Sequence, residues 1–245
     1  MTERFRGVPV LPGERLDDLQ RGGMFLLQRP EAFCFGTDSV LLAAFAAQGR
    51  VGSICAADLG SGSGVLPLLV CGRLAGARFD AVELDAAAAD RAVRSARISG
   101  MTGRVAVHAI ALENAPRLLG CGKYDLVVSN PPYGERGGAH ATFERDAAVR
   151  EGATDIAAVC RSASQLLRSG GAFCLCFPAR RLAELFSALA REKLEPKRLR
   201  LVYGAAGKDA KIALVEAVRG AKPGLRALPP LCLNDRQALA DIYGG

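Results

Sequence analysis

Tryptophan is absent from this sequence, histidine occurs only twice, and aromatic residues make up 6% of the chain. Two histidines are too few for the histidine-rich ligand sets of catalytic zinc, and no two of the eight cysteines are spaced C-x-x-C. A zinc site would have to be gathered from scattered thiols, so no metal is expected. The cysteines stand at 34, 55, 71, 121, 160, 174, 176 and 232. Four of them sit inside apolar segments, where cysteine behaves as a small hydrophobe, and reduced, buried thiols are expected. No apolar run reaches the roughly 18–20 residues needed to cross a bilayer. The opening Met-Thr-Glu-Arg-Phe-Arg has no apolar stretch of the kind a signal peptide carries, which predicts a soluble, cytoplasmic protein without a membrane partner.

What remains is a chain of 245 residues, half of them hydrophobic, with 32 Lys+Arg against 25 Asp+Glu and a formal charge of +7. That composition argues against a disordered chain and allows one large domain or two small ones. The positive balance hints at a polyanionic partner. Apolar runs at 54–59, 78–84, 104–109, 124–129, 171–177, 198–204 and 211–218 read as seven strands. Helical spacing lies between them. One helix is expected over 38–48 with Thr37 or Asp38 as cap, one over 86–98, one along the stripe Ile156 to Leu167 starting at Thr154, and one through Leu182, Leu185, Phe186 and Leu189. Such alternation predicts a doubly wound α/β domain with a mostly parallel seven-stranded sheet. The connection 205–210 is too short for a parallel crossover, so the last strand is expected to run antiparallel. Residues 51–218 are expected to form the core, 1–50 an N-terminal segment packed on it, and 219–245 a tail of the same domain.

Asp58-Leu-Gly60-Ser61-Gly62-Ser63-Gly64 follows the first strand and precedes an apolar helix. Its glycines allow a sharp turn and a close approach of a ligand to the main chain. Val65 stands where a dinucleotide fingerprint has its third glycine, and the Lys-Ser or Lys-Thr of a phosphate-binding loop is missing. The turn therefore suits a nucleoside without a pyrophosphate. Glu83 ends the next strand, roughly 20 residues on, where a carboxylate accepts from both ribose hydroxyls, with Leu84 beside it. A strand, a D-x-G-x-G-x-G turn and a following acid resemble the S-adenosyl-L-methionine site of the Rossmann-like class I methyltransferases. That resemblance implies a cofactor set of Asp58, Gly60, Ser61, Gly62, Ser63, Gly64, Glu83 and Leu84.

Ser129-Asn130-Pro131-Pro132-Tyr133 closes the fourth strand, so both motifs are expected on one edge of the sheet. The prolines hold the backbone rigid and aim the Asn130 side-chain oxygen and the Pro131 carbonyl at one donor group. An exocyclic adenine amine is a weak nucleophile because its lone pair is delocalised into the ring. Two acceptors gripping its N–H bonds favour a pyramidal nitrogen, and Tyr133 stacks on the ring at about 1–3 kcal/mol. Asn130, Pro131, Pro132 and Tyr133 are thus the catalytic candidates, working by positioning and electrostatics. His140 in the Gly-rich stretch 134–140 and the Arg150-Glu151 pair read as loop or surface features, and His108 as structural.

The Asn-Pro-Pro-Tyr form marks amino-group methyltransferases, and the likeness extends further. Glu14-Arg-Leu-Asp-Asp-Leu19, Phe35-Gly-Thr-Asp38-Ser-Val-Leu-Leu-Ala43, Leu194-Glu-Pro-Lys-Arg198, Gly207-Lys208 and Leu214-Val-Glu-Ala-Val218 resemble the bacterial tRNA(Val) adenine-N6 methyltransferase family. The resemblance implies methylation of the adenine 3′ of the anticodon, a tRNA partner, S-adenosyl-L-methionine as donor, and a place for Asp38 near the cofactor's methionine end, with Asn130 also bordering the cofactor. One departure stands out: Ala111 occupies the position where the family carries an acid for the cofactor's adenine amine. Residues 180–226 hold 12 Lys+Arg against 5 Asp+Glu. Lys197, Arg198, Arg200 and Lys208 are expected to meet RNA phosphates. A monomer or weak homodimer is expected. Release-factor glutamine, a ribosomal RNA or DNA base, and a non-catalytic RNA-binding role stay open as alternatives.

Overall fold

The structure, a computed structural model, describes residues 3–30, 35–131 and 155–243. Two short antiparallel hairpins come first, β1 (Glu3–Phe5) with β2 (Val8–Val10) and β3 (Arg15–Asp18) with β4 (Phe25–Gln28). Then follow α1 (Thr37–Ala47), β5 (Ile54–Leu59), α2 (Val65–Arg73), β6 (Ala77–Glu83), α3 (Ala86–Ile98), β7 (Val105–Ala109), α4 (Ala115–Leu119) and β8 (Tyr124–Ser129). Beyond them lie α5 (Ile156–Leu166), β9 (Leu167–Pro178), α6 (Leu182–Arg191), β10 (Leu194–Tyr203), β11 (Ala210–Arg219), the two-residue strands β12 (Arg226–Ala227) and β13 (Leu231–Cys232), and α7 (Arg236–Tyr243).

The main sheet runs β12-β10-β11-β9-β8-β5-β6-β7, with β13 also on β10. Strands β7, β6, β5, β8 and β9 are parallel, and β11 enters antiparallel between β9 and β10. The seven long strands match the apolar runs of the sequence, while β12 and β13 add two short rungs to one edge. Near-continuous apolar runs form the central strands because helices cover both faces. Leu41, Leu42, Leu68 and Leu69 of α1 and α2 close one face over Ala56, Leu126 and Cys174. Val159, Ala163, Leu185 and Leu189 of α5 and α6 close the other over Ala57, Val127 and Phe173.

Local signals set the helix ends. Asp85 caps α3 by accepting from the Ala87 and Ala88 amides, and Asp155 caps α5 by accepting from the Ala157 amide. The α5 start expected at Thr154 lies outside the described residues. At α1 the cap is Gly36 with no side-chain bond, which corrects the expected Thr37 or Asp38 cap. Asp38 is occupied elsewhere, as shown below.

Two buried ion-pair systems tie distant segments together. Glu14 meets Arg94 of α3 at 2.6 Å through both carboxylate oxygens, fastening the N-terminal segment to the core. Glu216 of β11 lies directly across from Arg198 of β10. Its carboxylate accepts from Arg198 at 3.0 and 2.8 Å and from Arg50 at 2.6 Å. Burial works to raise the Glu216 carboxyl, and the two guanidiniums hold it below the usual range. Arg198 also donates to the Phe45 carbonyl at 3.0 Å and sits 4.5 Å from the Phe45 ring centroid, pinning the C-terminal end of α1. Seven cysteines fall among the described residues and none of them forms a disulfide there; Cys71, Cys160, Cys174 and Cys176 are buried and Cys121 is exposed. Cys34 lies outside the described residues. Among the described residues no helix is long and apolar enough to cross a membrane.

Candidate active site

Strand β5 has β6 on one side and β8 on the other, so the sheet order reverses at its carboxyl end. Clefts at such a reversal are where open α/β sheets bind ligands. The glycine turn leaves β5 at this point, Glu83 ends β6 and Asn130 follows β8, all on one edge. The Ser129 hydroxyl donates to the Leu59 carbonyl at 2.7 Å and locks the ends of β8 and β5 together.

The turn itself is held by its neighbour strand. The Gly60 and Ser61 amides donate to the Val82 carbonyl at 3.0 and 2.9 Å, and Gly64 closes back on Ser61 at 2.9 Å. Gly60 and Gly62 have φ of +77° and +55°, and a Cβ at either would point into open space. These two are the open part of the cradle. Gly64 serves packing instead: a Cβ there would meet Ala92 of α3 at 3.2 Å. The Ser63 hydroxyl is turned inward, accepting from buried Arg91 at 3.5 Å.

Glu83 accepts from the Gly62 amide at 2.7 Å through one oxygen and from the Asp85 amide at 2.8 Å through the other. One backbone bond to each oxygen leaves lone pairs for further donors. Leu84 is 71% exposed, an apolar side chain presented at the edge. Beneath them Asp58 is fully buried with the Ser61 hydroxyl set against it, and neither its carboxylate oxygens nor that hydroxyl makes a hydrogen bond of good geometry among the described residues. Burial pushes the Asp58 carboxyl up to about 7, Glu83's charge adds to the rise, and the Ser61 hydroxyl opposes it. Buried polar groups without partners are costly and mark places where something else completes the set. Two acceptors, two open glycines, a ribose-competent acid and an exposed apolar side chain fit a ligand with donor groups, a sugar diol and a flat ring.

The Asp58 carboxyl gives a stability signature. Its folded value lies above the unfolded one of 3.8, so the folded state grips the proton more tightly and loses stability as pH rises from about 4 through about 7. Asp58→Asn should raise the melting temperature of the ligand-free protein by about 5 °C at pH 8 and leave it unchanged at about pH 4. Calorimetric scans across that range check it; a pH-independent difference removes the claim.

Asn130 is half-buried, and its Nδ2 donates to Asp38 at 3.0 Å and to Ser39 at 3.1 Å, both on the first turn of α1. Asp38, expected near the cofactor's methionine end, is therefore hydrogen-bonded to the catalytic candidate. Ser39 lies within the Phe35–Ala43 segment that carries the family resemblance, but the resemblance assigns it no role. Pro131 is buried. Pro132, Tyr133, the 134–140 stretch with His140, and Arg150-Glu151 lie outside the described residues. Ala111 precedes a single 3-10 turn, Leu112–Asn114, on which Glu113 is exposed. His108 faces Asp80 at 2.7 Å, and Asp80 accepts from the Tyr124 hydroxyl at 2.8 Å, a structural cluster on β6, β7 and β8.

The four RNA candidates do not gather. Arg198 is spent on Glu216 and Phe45 and leaves the set. Lys197, near the start of β10 and so toward the opposite edge, donates to the Lys222 carbonyl at 3.2 Å. The Arg200 Nε is buried without a partner among the described residues. Lys208 is exposed in the turn after β10, on the same edge as Asn130. Exposed Arg180, just past β9, and Lys211, at the start of β11, share that edge and were missed because the charge count gave no edge.

A Gly-rich turn on the central strand, a carboxylate at the end of its neighbour and a late antiparallel strand beside β9 define the class I, Rossmann-like methyltransferase fold. A solved chain described as a predicted O-methyltransferase from Agrobacterium tumefaciens has this fold, with a TM-score of 0.70, 22% identity, and coverage of 84% of this chain and 95% of that one. Residues 35–190 match the family model "Methyltransferase small domain". The tRNA1(Val) (adenine(37)-N6)-methyltransferase of Cronobacter sakazakii is 36% identical over 166 residues, 67% of this chain and 66% of that protein. The Aeromonas hydrophila protein of the same name is 34% identical over 186 residues, 76% of each. The chain belongs to the methyltransferase small-domain family, in its tRNA(Val) adenine-N6 methyltransferase group. Its matches to the Cronobacter, Enterobacter and Pectobacterium relatives span 66%, 58% and 62% of those proteins.

Proposed function

We propose that this protein transfers a methyl group from S-adenosyl-L-methionine to the exocyclic N6 of an adenine in tRNA, the adenine 3′ of the anticodon in a valine tRNA, in the cytoplasm. The observation that carries the reading is Asn130, fixed at the carboxyl end of β8 beside the glycine turn of β5. The names of the relatives supply the acceptor. The donor set fits the cofactor: Asp58 and Ser61 for its ammonium end, Gly60 and Gly62 for close backbone approach, Glu83 for the ribose and Leu84 for the adenine ring. When bound, S-adenosyl-L-methionine supplies an electrophilic methyl on a sulfonium.

The chain's own residues do the rest. With Nδ2 donating to Asp38 and Ser39 of α1, the Asn130 oxygen is the end assigned to the acceptor, and with the Pro131 carbonyl it takes the two N–H bonds of the amine. Tyr133 is assigned the stacking role by its place in the motif. The amine proton leaves to water. An anticodon-loop base is already unpaired, so presenting it costs less than the few kcal/mol of extruding one from a duplex.

Incubating bulk tRNA with methyl-labelled donor and analysing the nucleosides tests this. N6-methyladenosine is the expected product; another modified nucleoside, or no incorporation, overturns it. Phosphate contacts are assigned to Lys208, Lys211 and Arg180 on the active edge. Lys208→Glu should weaken tRNA binding about tenfold and flatten its salt dependence, whereas Lys197→Glu changes either far less. Binding isotherms at several salt concentrations decide it, and equal effects of the two variants sink the assignment.

A further inference from the structure

The geometry points to Asp38 as a positioning residue that fixes which end of the Asn130 amide meets the acceptor amine, with Ser39 sharing the grip. This rests on Asn130 being the group that holds that amine. An asparagine amide has two faces of opposite chemistry, an oxygen that accepts and an NH2 that donates. Turned by half a rotation about its last torsion, Asn130 would present N–H groups to the N–H groups of the substrate and repel them. A carboxylate settles the choice. Asp38 accepts only, so it pairs with Nδ2 at 3.0 Å and would confront the amide oxygen with like charge in the reversed pose. Ser39, 3.1 Å from Nδ2, takes part in the grip but does not discriminate, because a hydroxyl both donates and accepts.

The clamp is itself held. The other Asp38 oxygen accepts from the Ser39 amide at 3.0 Å, which anchors the carboxylate on the first turn of α1. Gly36 leaves it room: a Cβ there would lie 2.9 Å from that oxygen. Ser39 is buried at 2% exposure. At the far end, Arg50 and Arg198 bind the Ala46 and Phe45 carbonyls and meet on Glu216, so the helix that carries the clamp is fastened to the sheet.

Asp38→Asn separates this role from cofactor binding. The variant keeps size and hydrogen bonding but loses the acceptor-only character, so both amide orientations of Asn130 become available. Turnover on tRNA should fall about tenfold, with KM for tRNA and the calorimetric Kd for S-adenosyl-L-methionine each within about twofold of the parent. Added to Asn130→Ala, the same change should cost nothing more, because its target is gone. Independently of any acceptor, the side-chain amide signals of Asn130 in a 15N–1H spectrum should shift or double in Asp38→Asn. A Kd that rises with the loss of turnover, or a full further loss in the Asn130→Ala background, would make Asp38 a direct cofactor ligand and overturn the proposal. Unmoved amide signals overturn it as well. Absence of N6-methyladenosine from the parent enzyme instead defeats the functional reading, while calorimetry and spectra still report on the clamp.

Discussion

Asn130→Ala should lower the turnover number on tRNA by about 10²–10³-fold while leaving the Kd for S-adenosyl-L-methionine close to that of the parent. The size follows from removing one preorganised polar contact at a reacting centre, where losses of this order are usual. Under the proposed function the side chain belongs to the acceptor half of the site, and its nitrogen donates to Asp38 and Ser39 of α1. Cofactor affinity is therefore spared. Single-turnover rates at saturating tRNA, compared with calorimetry, separate the two quantities. Near-parental turnover would mean that the amine is aimed by something else.

Glu83→Ala has the opposite signature. Its carboxylate bridges the Gly62 amide and the Asp85 amide, at 2.7 and 2.8 Å, so it shapes the turn in addition to its proposed role as ribose acceptor. Hydrogen bonds to a charged group are worth about 1.5–3 kcal/mol each, and losing the ribose pair with the turn's support should raise the cofactor Kd by about 10²-fold. At saturating cofactor the turnover number should recover most of its value. Glu83→Gln, which keeps one acceptor oxygen, should fall between. An unaltered dissociation constant removes the ribose role.

The long strands were legible because a strand buried on both faces must be apolar along its length, and the runs at 54–59 and 124–129 reappear as β5 and β8 with the same bounds. The glycine turn was legible from residue type alone, since few residues tolerate the φ values found at Gly60 and Gly62. The first two hairpins were not: their strands of three and four residues are too short to show a period. Strands β12 and β13, of two residues each, carry even less. The link from Asn130 to α1 spans 92 positions, a distance over which one sequence holds no local signal. Arg198 is a different case. Its partner Glu216 sits directly opposite on a hairpin that was expected, so pairing the two strands on paper would have found the ion pair. A charge tally treats every arginine as solvent-facing, and this one is structural.

Because β11 lies between β9 and β10, neither of those strands pairs with the other, and their adjoining edges stay open until residues 210–219 arrive. During synthesis the parallel half of the sheet has all its strands early, whereas Arg198 and Arg50 wait for the carboxylate that neutralises them. Exposed strand edges invite pairing with other chains, and late long-range closure slows folding. The insertion of one strand thus leaves two sheet edges open to pairing with other chains until residues 210–219 have been made.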